Sequence, residues 1–175
     1  MINQPKSCCF TGYRPQKFPF PLSRADNDYL EFENRLTDAI FSLPELGCLT
    51  FYTGMAMGFD LIAAETVLLY RQAKKDSGVK LIGVIPFKKQ SLSYTADWRR
   101  RYNRVAALAD EIIVLSDNYT RGCYQKRNKY MVDRSDIVIT WYSGEPGGTR
   151  STLQYAASKD KRTVNLFEDF SHSYL

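Results

Sequence analysis

The 175-residue chain is 44% hydrophobic and 25% charged, with a formal net charge of +5 and a pI near 9.0. It is long enough for one buried core and too short for two ordinary domains with a linker, so residues 1–175 are expected to form a single domain. No apolar run approaches the roughly 20 residues that span a bilayer, and the start of the sequence lacks a secretory pattern, so we expect a cytoplasmic protein without a membrane segment.

Six short apolar runs alternate with five longer amphipathic segments. The runs predict β-strands at 8–11, 49–53, 80–85, 111–115, 137–141 and 163–167. The segments between them predict helices at about 26–42, 59–74, 95–109, 124–133 and 151–158. Short strands that are apolar throughout are typical of parallel sheets, and parallel neighbours need crossover connections. The pattern therefore predicts an α/β fold with one open, mainly parallel sheet and helices on both faces.

Glycines and hydroxyl side chains follow three of these strands, where ligands of open α/β sheets bind. The stretch TGYRP contributes Thr11, Gly12 and Arg14. The stretch TGMAMGFD contributes Thr53, Gly54, Met55, Gly58 and Asp60. The stretch GEPGGTRST contributes Gly147, Gly148, Thr149, Ser151 and Thr152. None of the three has the GxGxxG spacing of a dinucleotide fingerprint, and no cofactor is expected.

A glycine-rich turn that leads into a helix lets backbone N–H groups and the positive helix end approach an anion. The predicted ligand group at these turns is a phosphate or a carboxylate. Alternatives stay open at three positions: Gly58 also suits close helix packing, Ser151 also suits a helix N-cap, and Asp60 either accepts from a ribose hydroxyl or complements the helix dipole.

Histidine and cysteine usage limits the chemistry further. The single histidine, His172, lies near the end of the chain, which argues against Ser-His-Asp and Cys-His catalysis and against a metal site. The four cysteines show no CxxC spacing, so we expect reduced thiols.

Four stretches in this order, TGYRP, TGMAMGFDLIAAE, RNKYMVDRSD and GGTRSTLQYA, resemble the SLOG superfamily, specifically its YpsA-like branch. That superfamily unites the fold of DNA-processing protein A with the cytokinin-activating LOG phosphoribohydrolases. The resemblance spans residues 8–167. It implies a Rossmann-like domain that binds a nucleotide, an ADP-ribose-like ligand or a nucleotide sugar, with a sensor role and a homodimer as further expectations.

Compared with LOG enzymes, Arg127 matches their arginine and adds a side-chain contact to the expected site. Asn128 replaces their lysine, and Gln154 stands at the position of their catalytic glutamate. Glutamine cannot carry the charge that would stabilise an oxocarbenium-like centre. Glu145 is nearby but displaced from the motif position. A phosphoribohydrolase or N-glycosidase acting on nucleoside monophosphates therefore stays an alternative, with the catalytic residues unassigned.

The resemblance to DNA-processing proteins implies a second alternative, single-stranded DNA binding. Arginines 99, 100, 101 and 104 are interleaved with Trp98 and Tyr102, a pattern that suits phosphates and stacked bases. The two aromatic residues are four apart, so packing on one side of a helix explains them equally well. DNA is not the favoured ligand.

Overall fold

The computed structural model describes residues 5–170, apart from the side chains of residues 169 and 170, so His172 lies outside the described residues. The strands are β1 (Ser7–Gly12), β2 (Thr50–Thr53), β3 (Lys80–Ile85), β4 (Glu111–Val114), β5 (Ile137–Trp141) and β6 (Arg162–Asn165). The helices are α1 (Asn27–Ser42), α2 (Phe59–Ala73), α3 (Ala96–Leu108), α4 (Cys123–Asp133), α5 (Gly148–Ser158) and α6 (Leu166–Phe170). Within this part of the chain, no helix combines the length and the apolar character needed to cross a membrane.

The six strands form one sheet in the order β4-β3-β2-β1-β5-β6, and every pairing is parallel. The chain runs outward from β1 to β4 on one side and then crosses to β5 on the other side of β1. The direction of winding thus reverses between β1 and β5, which makes their carboxyl ends the topological switch point of the sheet. The predicted α/β, Rossmann-like fold is confirmed.

Alternating side chains of the central strands pack into two separate cores. Phe10 of β1 and Ile139 of β5 belong to the larger core, which also contains buried residues of α1, α2 and α3. Cys9 and Val138, the neighbours of those residues along the strands, belong to a smaller core with buried residues of α4 and α5. Strand β5 is buried at every position, as expected for a strand covered by helices on both faces.

The loop after β1 is anchored on the end of β5 by aromatic packing. The Trp141 ring is fully buried, and its centroid lies 6.2 Å from that of Phe18, 5.8 Å from that of Phe20 and 4.9 Å from that of Phe32. The segment KFPFP, residues 17–21, is therefore an ordered loop. Because Lys17 precedes Phe18, this packing places Lys17 beside the switch point.

Two element boundaries differ from the sequence expectation by more than one residue. Strand β6 ends at Asn165 because its side-chain Oδ1 accepts hydrogen bonds from the N–H groups of Tyr142 (3.1 Å) and Phe167 (3.2 Å). This turn starts α6, so the last two residues of the predicted strand are helical. Helix α5 begins at Gly148 rather than Ser151, and this earlier start shapes the site below.

Candidate functional site

A cavity of about 260 Å³ lies at the switch point between the carboxyl ends of β1 and β5. The predicted site residues that line it are Thr11, Gly12, Arg14, Asp60, Arg127, Gly147, Gly148 and Thr149. Residues that the sequence did not indicate as ligand contacts complete the lining: Tyr13, Lys17, Ala56, Tyr124, Asn128, Glu145 and Pro146. The other predicted site residues, Thr53, Gly54, Met55, Gly58, Ser151 and Thr152, are outside the lining.

The start of α5 opens into this cavity. Gly147 has φ +143°, a conformation that favours glycine, and it holds the N-cap position without a side-chain cap. The Ser151 N–H donates to Gly147 O (3.1 Å), so the amides of residues 148–150 precede the first hydrogen-bonded turn and are the unpaired donors of a helix start. A Cβ at Gly148 would meet no atom within 4 Å. Gly148 therefore provides space rather than an unusual backbone angle.

The hydroxyl groups of this segment bond within the protein. Thr149 Oγ1 donates to Gly12 O (3.2 Å) and so joins the ends of the two central strands. Ser151 Oγ donates to Gly147 O (3.3 Å), and Thr152 Oγ1 donates to Gly148 O (2.8 Å). Ser151 is thus not the N-cap, and Ser151 and Thr152 stabilise the first turn of α5 from behind the cavity wall.

Tyr13 and Lys17 hold loop 143–147 over the cavity. The Tyr13 hydroxyl lies 2.8 Å from Ser143 Oγ and accepts from the N–H groups of Ser143 (2.9 Å) and Glu145 (3.3 Å). Lys17 Nζ donates to Pro146 O (2.8 Å). Tyr13 lies inside the TGYRP stretch, but only the fold shows that its hydroxyl reaches across to the loop after β5.

Gly54, after β2, makes room for a buried pair of charged side chains. A Cβ at this position would lie 2.5 Å from both Arg127 Cζ and Asp60 Oδ2, and Arg127 Nη1 donates to Gly54 O. Arg127 Nε also donates to Asn128 Oδ1 (2.7 Å). Gly54, which the sequence predicted as a ligand donor, lies outside the cavity lining and makes room for two side chains of the cavity wall.

Asp60 and Arg127 are 6% and 4% exposed at the bottom of the cavity. Burial raises the pKa of the Asp60 carboxyl, and the guanidinium groups of Arg127 and Arg14 oppose that rise. Burial likewise lowers the pKa of Arg127, with Asp60 acting in the opposite direction. Ionisable groups perturbed by burial and by a charged partner within a cleft are typical of functional sites.

The remaining residues after β2 close the start of α2. The Met55 N–H donates to Thr53 Oγ1 (3.2 Å), and Thr53 Oγ1 donates to Asp60 O (3.0 Å). Gly58 has φ +90°, and a Cβ there would collide with Tyr13 O. These contacts favour the packing alternative for Gly58. The first amides of α2 are also occupied, because the Phe59 N–H donates to Tyr13 O (3.0 Å) and the Leu61 N–H donates to Ala56 O (3.3 Å). These contacts leave α5, rather than α2, as the helix start that is open to a ligand.

Similarity to known proteins identifies the family of this chain. The family model YpsA, described as the YspA SLOG family, matches residues 8–169. The chain belongs to this family. It is 35% identical over 118 residues to the SPbeta prophage-derived protein YoqJ of Bacillus subtilis, and this alignment covers 61% of this chain and 68% of YoqJ. It is 26% identical over 184 residues to a UPF0398 protein of Macrococcus caseolyticus, with 97% of each chain covered.

Two solved structures share the fold of this SLOG chain. DNA processing protein A of Helicobacter pylori, reported for its single-stranded DNA binding mode, has a TM-score of 0.61 and 17% identity, over 98% of this chain and 74% of that chain. DNA processing protein A of Streptococcus pneumoniae has a TM-score of 0.59 and 18% identity, over 90% of this chain and 48% of that chain. At these identities the likeness concerns the fold.

The basic segment on α3 of this SLOG chain is packed against the protein in part, while Arg99, Arg100 and Arg104 are exposed. Arg101 pairs with Glu65 (Nε to Oε1, 2.8 Å), and its guanidinium lies 4.2 Å from the centroid of the Trp98 ring. Tyr102 is buried, and Arg99 donates to Leu92 O (2.6 Å) and Tyr94 O (3.1 Å) in the segment before α3. Tyr102 therefore serves packing, with its ring 5.9 Å from that of Tyr94, whereas Trp98 is half-buried beneath Arg101.

The carboxylates of the cavity are not at the LOG-like position. Gln154 is exposed and lies outside the cavity lining. Glu145 and Asp60 line the cavity instead. The two acidic groups that could contact a ligand thus come from the loop after β5 and from the start of α2.

Proposed function

We propose that this SLOG chain binds a phosphate-bearing nucleotide or nucleotide derivative in the switch-point cavity. The observation that carries this proposal is the uncapped start of α5, where Gly148 and Thr149 line a cavity that also contains arginine side chains. Unpaired amides and the positive end of the helix dipole favour a phosphate at this position.

The charged side chains support an anionic ligand with a sugar attached. Arg14, Lys17 and Arg127 line the cavity together with two carboxylates, Asp60 and Glu145. Arg127 is committed to Gly54 O and Asn128, so Arg14 and Lys17 are the cations proposed to contact the phosphate. The Asp60 carboxylate is proposed to accept a hydrogen bond from a ribose hydroxyl.

The size of the cavity favours the smaller members of the predicted ligand class. At about 260 Å³ it lies just below the range of roughly 300–1,000 Å³ for typical small-molecule pockets. A sugar phosphate, or the phosphate and ribose of one nucleoside monophosphate, suits this volume better than ADP-ribose or a nucleotide sugar.

Isothermal titration calorimetry with AMP, ribose 5-phosphate and adenosine tests the proposal. We expect the two phosphorylated ligands to bind and adenosine not to bind. Gly148→Val should abolish binding because its side chain fills the space proposed for the phosphate. The matched control is Ala157→Val, which places the same side chain at an exposed position of α5 away from the cavity. Equal affinity for adenosine, or unchanged AMP affinity in Gly148→Val, would refute the site.

The same AMP samples test the enzymatic alternative, phosphoribohydrolase activity. Glu145 lines the cavity and is a carboxylate that this reaction could use. Free adenine is followed by chromatography. Base release that requires Glu145, as shown by its loss in Glu145→Gln, would make this chain a phosphoribohydrolase rather than a binding protein.

Single-stranded DNA is the second candidate ligand, and the likeness to the DNA processing protein A structures favours it. In this case one backbone phosphate of the strand would occupy the same cavity. Fluorescence anisotropy of a labelled oligonucleotide tests it at several salt concentrations, because phosphate contacts are weakened by salt. We expect AMP to displace the oligonucleotide and Gly148→Val to lose oligonucleotide binding. Oligonucleotide binding that neither AMP nor Gly148→Val changes would exclude the cavity as the DNA site.

A further inference from the structure

Three aromatic rings form an open cluster next to the cavity. The ring centroids of Phe87 and Tyr119 are 5.6 Å apart, those of Phe87 and Tyr124 are 6.1 Å apart, and those of Tyr119 and Tyr124 are 6.4 Å apart. Tyr119 is 63% exposed, which is high for a large aromatic side chain in contact with two others. We refer to Phe87, Tyr119 and Tyr124 as the aromatic cluster.

Backbone contacts hold this cluster at the carboxyl edge of the sheet. Phe87 follows β3, and Tyr119 follows β4. The Lys88 N–H donates to Ser116 O (3.2 Å), and Lys88 Nζ lies 2.5 Å from Asp117 Oδ1. The loops after β3 and β4 are thus tied to each other, so the two rings are positioned by the fold.

Tyr124 joins the aromatic cluster to the cavity. It lies in the first turn of α4 and lines the cavity. The guanidinium carbons of Arg14 and Arg127 each lie 5.9 Å from the centroid of its ring. The same ring therefore contacts both the charged groups of the cavity and the two other aromatic rings.

We infer that the aromatic cluster is the stacking surface for the nucleobase of the ligand whose phosphate occupies the cavity. This inference rests on the proposed function, since it concerns the other end of the same ligand. Exposed aromatic rings beside a phosphate site are how proteins stack bases, and stacking tolerates any base because every base has a π-face. The larger face of a purine predicts a preference for AMP over CMP.

Calorimetry on the full chain with AMP and ribose 5-phosphate separates the base from the phosphate. Tyr119→Ala should lower the affinity for AMP about tenfold, which corresponds to about 1.4 kcal/mol of binding free energy. It should leave ribose 5-phosphate unchanged, because that ligand has no base to stack. Tyr119→Phe is the matched control: it keeps the ring, and it should keep the affinity for AMP. Stacking should also reduce the ultraviolet absorption of bound adenine in the unmodified protein and in Tyr119→Phe, but not in Tyr119→Ala.

The outcomes distinguish this inference from the proposed function. Unchanged AMP affinity in Tyr119→Ala, or an equal loss for AMP and ribose 5-phosphate, overturns the base site while the phosphate site stands. If Tyr119→Ala loses affinity for an oligonucleotide but not for AMP, the inference is also overturned, since the rings would then contact a neighbouring base of a strand. Failure of both small ligands to bind the unmodified protein overturns the phosphate site itself.

Discussion

Gly54→Ala tests whether the buried charged pair supports the cavity. The added methyl group would lie 2.5 Å from both Arg127 Cζ and Asp60 Oδ2, well inside van der Waals contact. The φ angle of Gly54 is outside the left-handed region, so alanine is compatible with the backbone itself. The Arg127 guanidinium must therefore move away from Gly54 O, which it contacts in the folded protein.

The expected loss of stability follows from these contacts. Displacing the buried Arg127 guanidinium breaks its charge-assisted hydrogen bond to Gly54 O, which costs about 1.5–3 kcal/mol. The lower entropy of the unfolded alanine variant offsets about 0.4–1 kcal/mol of that cost. We therefore expect the free energy of unfolding to fall by about 0.5–2.5 kcal/mol. For a chain of this length, that corresponds to a decrease in Tm of about 1–10 °C.

Urea unfolding followed by circular dichroism measures the change, with Gly148→Ala as the matched control. A Cβ at Gly148 meets no atom within 4 Å, so the same substitution there should leave stability unchanged or raise it by up to about 1 kcal/mol. If Gly54→Ala were as stable as Gly148→Ala, the idea that Arg127 is held tightly against residue 54 would be refuted.

Further predictions concern the loop, the buried carboxyl and the thiols. Tyr13→Phe removes a hydroxyl bonded to Ser143, so stability should fall by about 1–3 kcal/mol and amide exchange of loop 143–147 should accelerate; unchanged exchange contradicts this. Burial raises the pKa of Asp60 above its ordinary value of 3.8, so the folded state holds the Asp60 proton more tightly than the unfolded state does. The free energy of unfolding of the unmodified protein, relative to that of Asp60→Asn, should therefore fall as pH rises from 3.8 through the raised pKa. A relative stability that increases over this pH range would contradict the raised pKa. Burial raises the pKa of Cys9 and Cys48 to about 12, so mass spectrometry should find both unlabelled by iodoacetamide until urea unfolds the chain, and rapid native labelling would contradict their burial.

The sequence was sufficient to predict the fold, because the apolar runs and their spacing reflect a sheet covered on both faces. Strand β5 shows this clearly, since its five consecutive apolar or small residues are all buried. The strand ends that carry the site were also predictable, since parallel strands of one sheet end at the same edge.

The role of each glycine was not predictable from the sequence, because glycine makes room equally well for a ligand and for the protein itself. Gly54 makes room for Arg127 and Asp60, and Gly58 for the backbone of Tyr13, whereas only open space surrounds the Cβ position of Gly148. Which atoms fill that space depends on contacts between residues far apart in the chain. The same limit applies to Tyr13, whose hydroxyl partner is 130 residues away.

The proposed binding of a phosphate at the start of α5 is tested most directly by an amide NMR titration. Ribose 5-phosphate and AMP should shift the amide resonances of Gly148 and Thr149 more than those elsewhere in α5, and adenosine should leave them unchanged. Ala157, on the same helix but outside the cavity lining, provides the internal reference. Saturable binding of AMP that leaves Gly148 and Thr149 unshifted, with the largest changes on α3, would contradict the account.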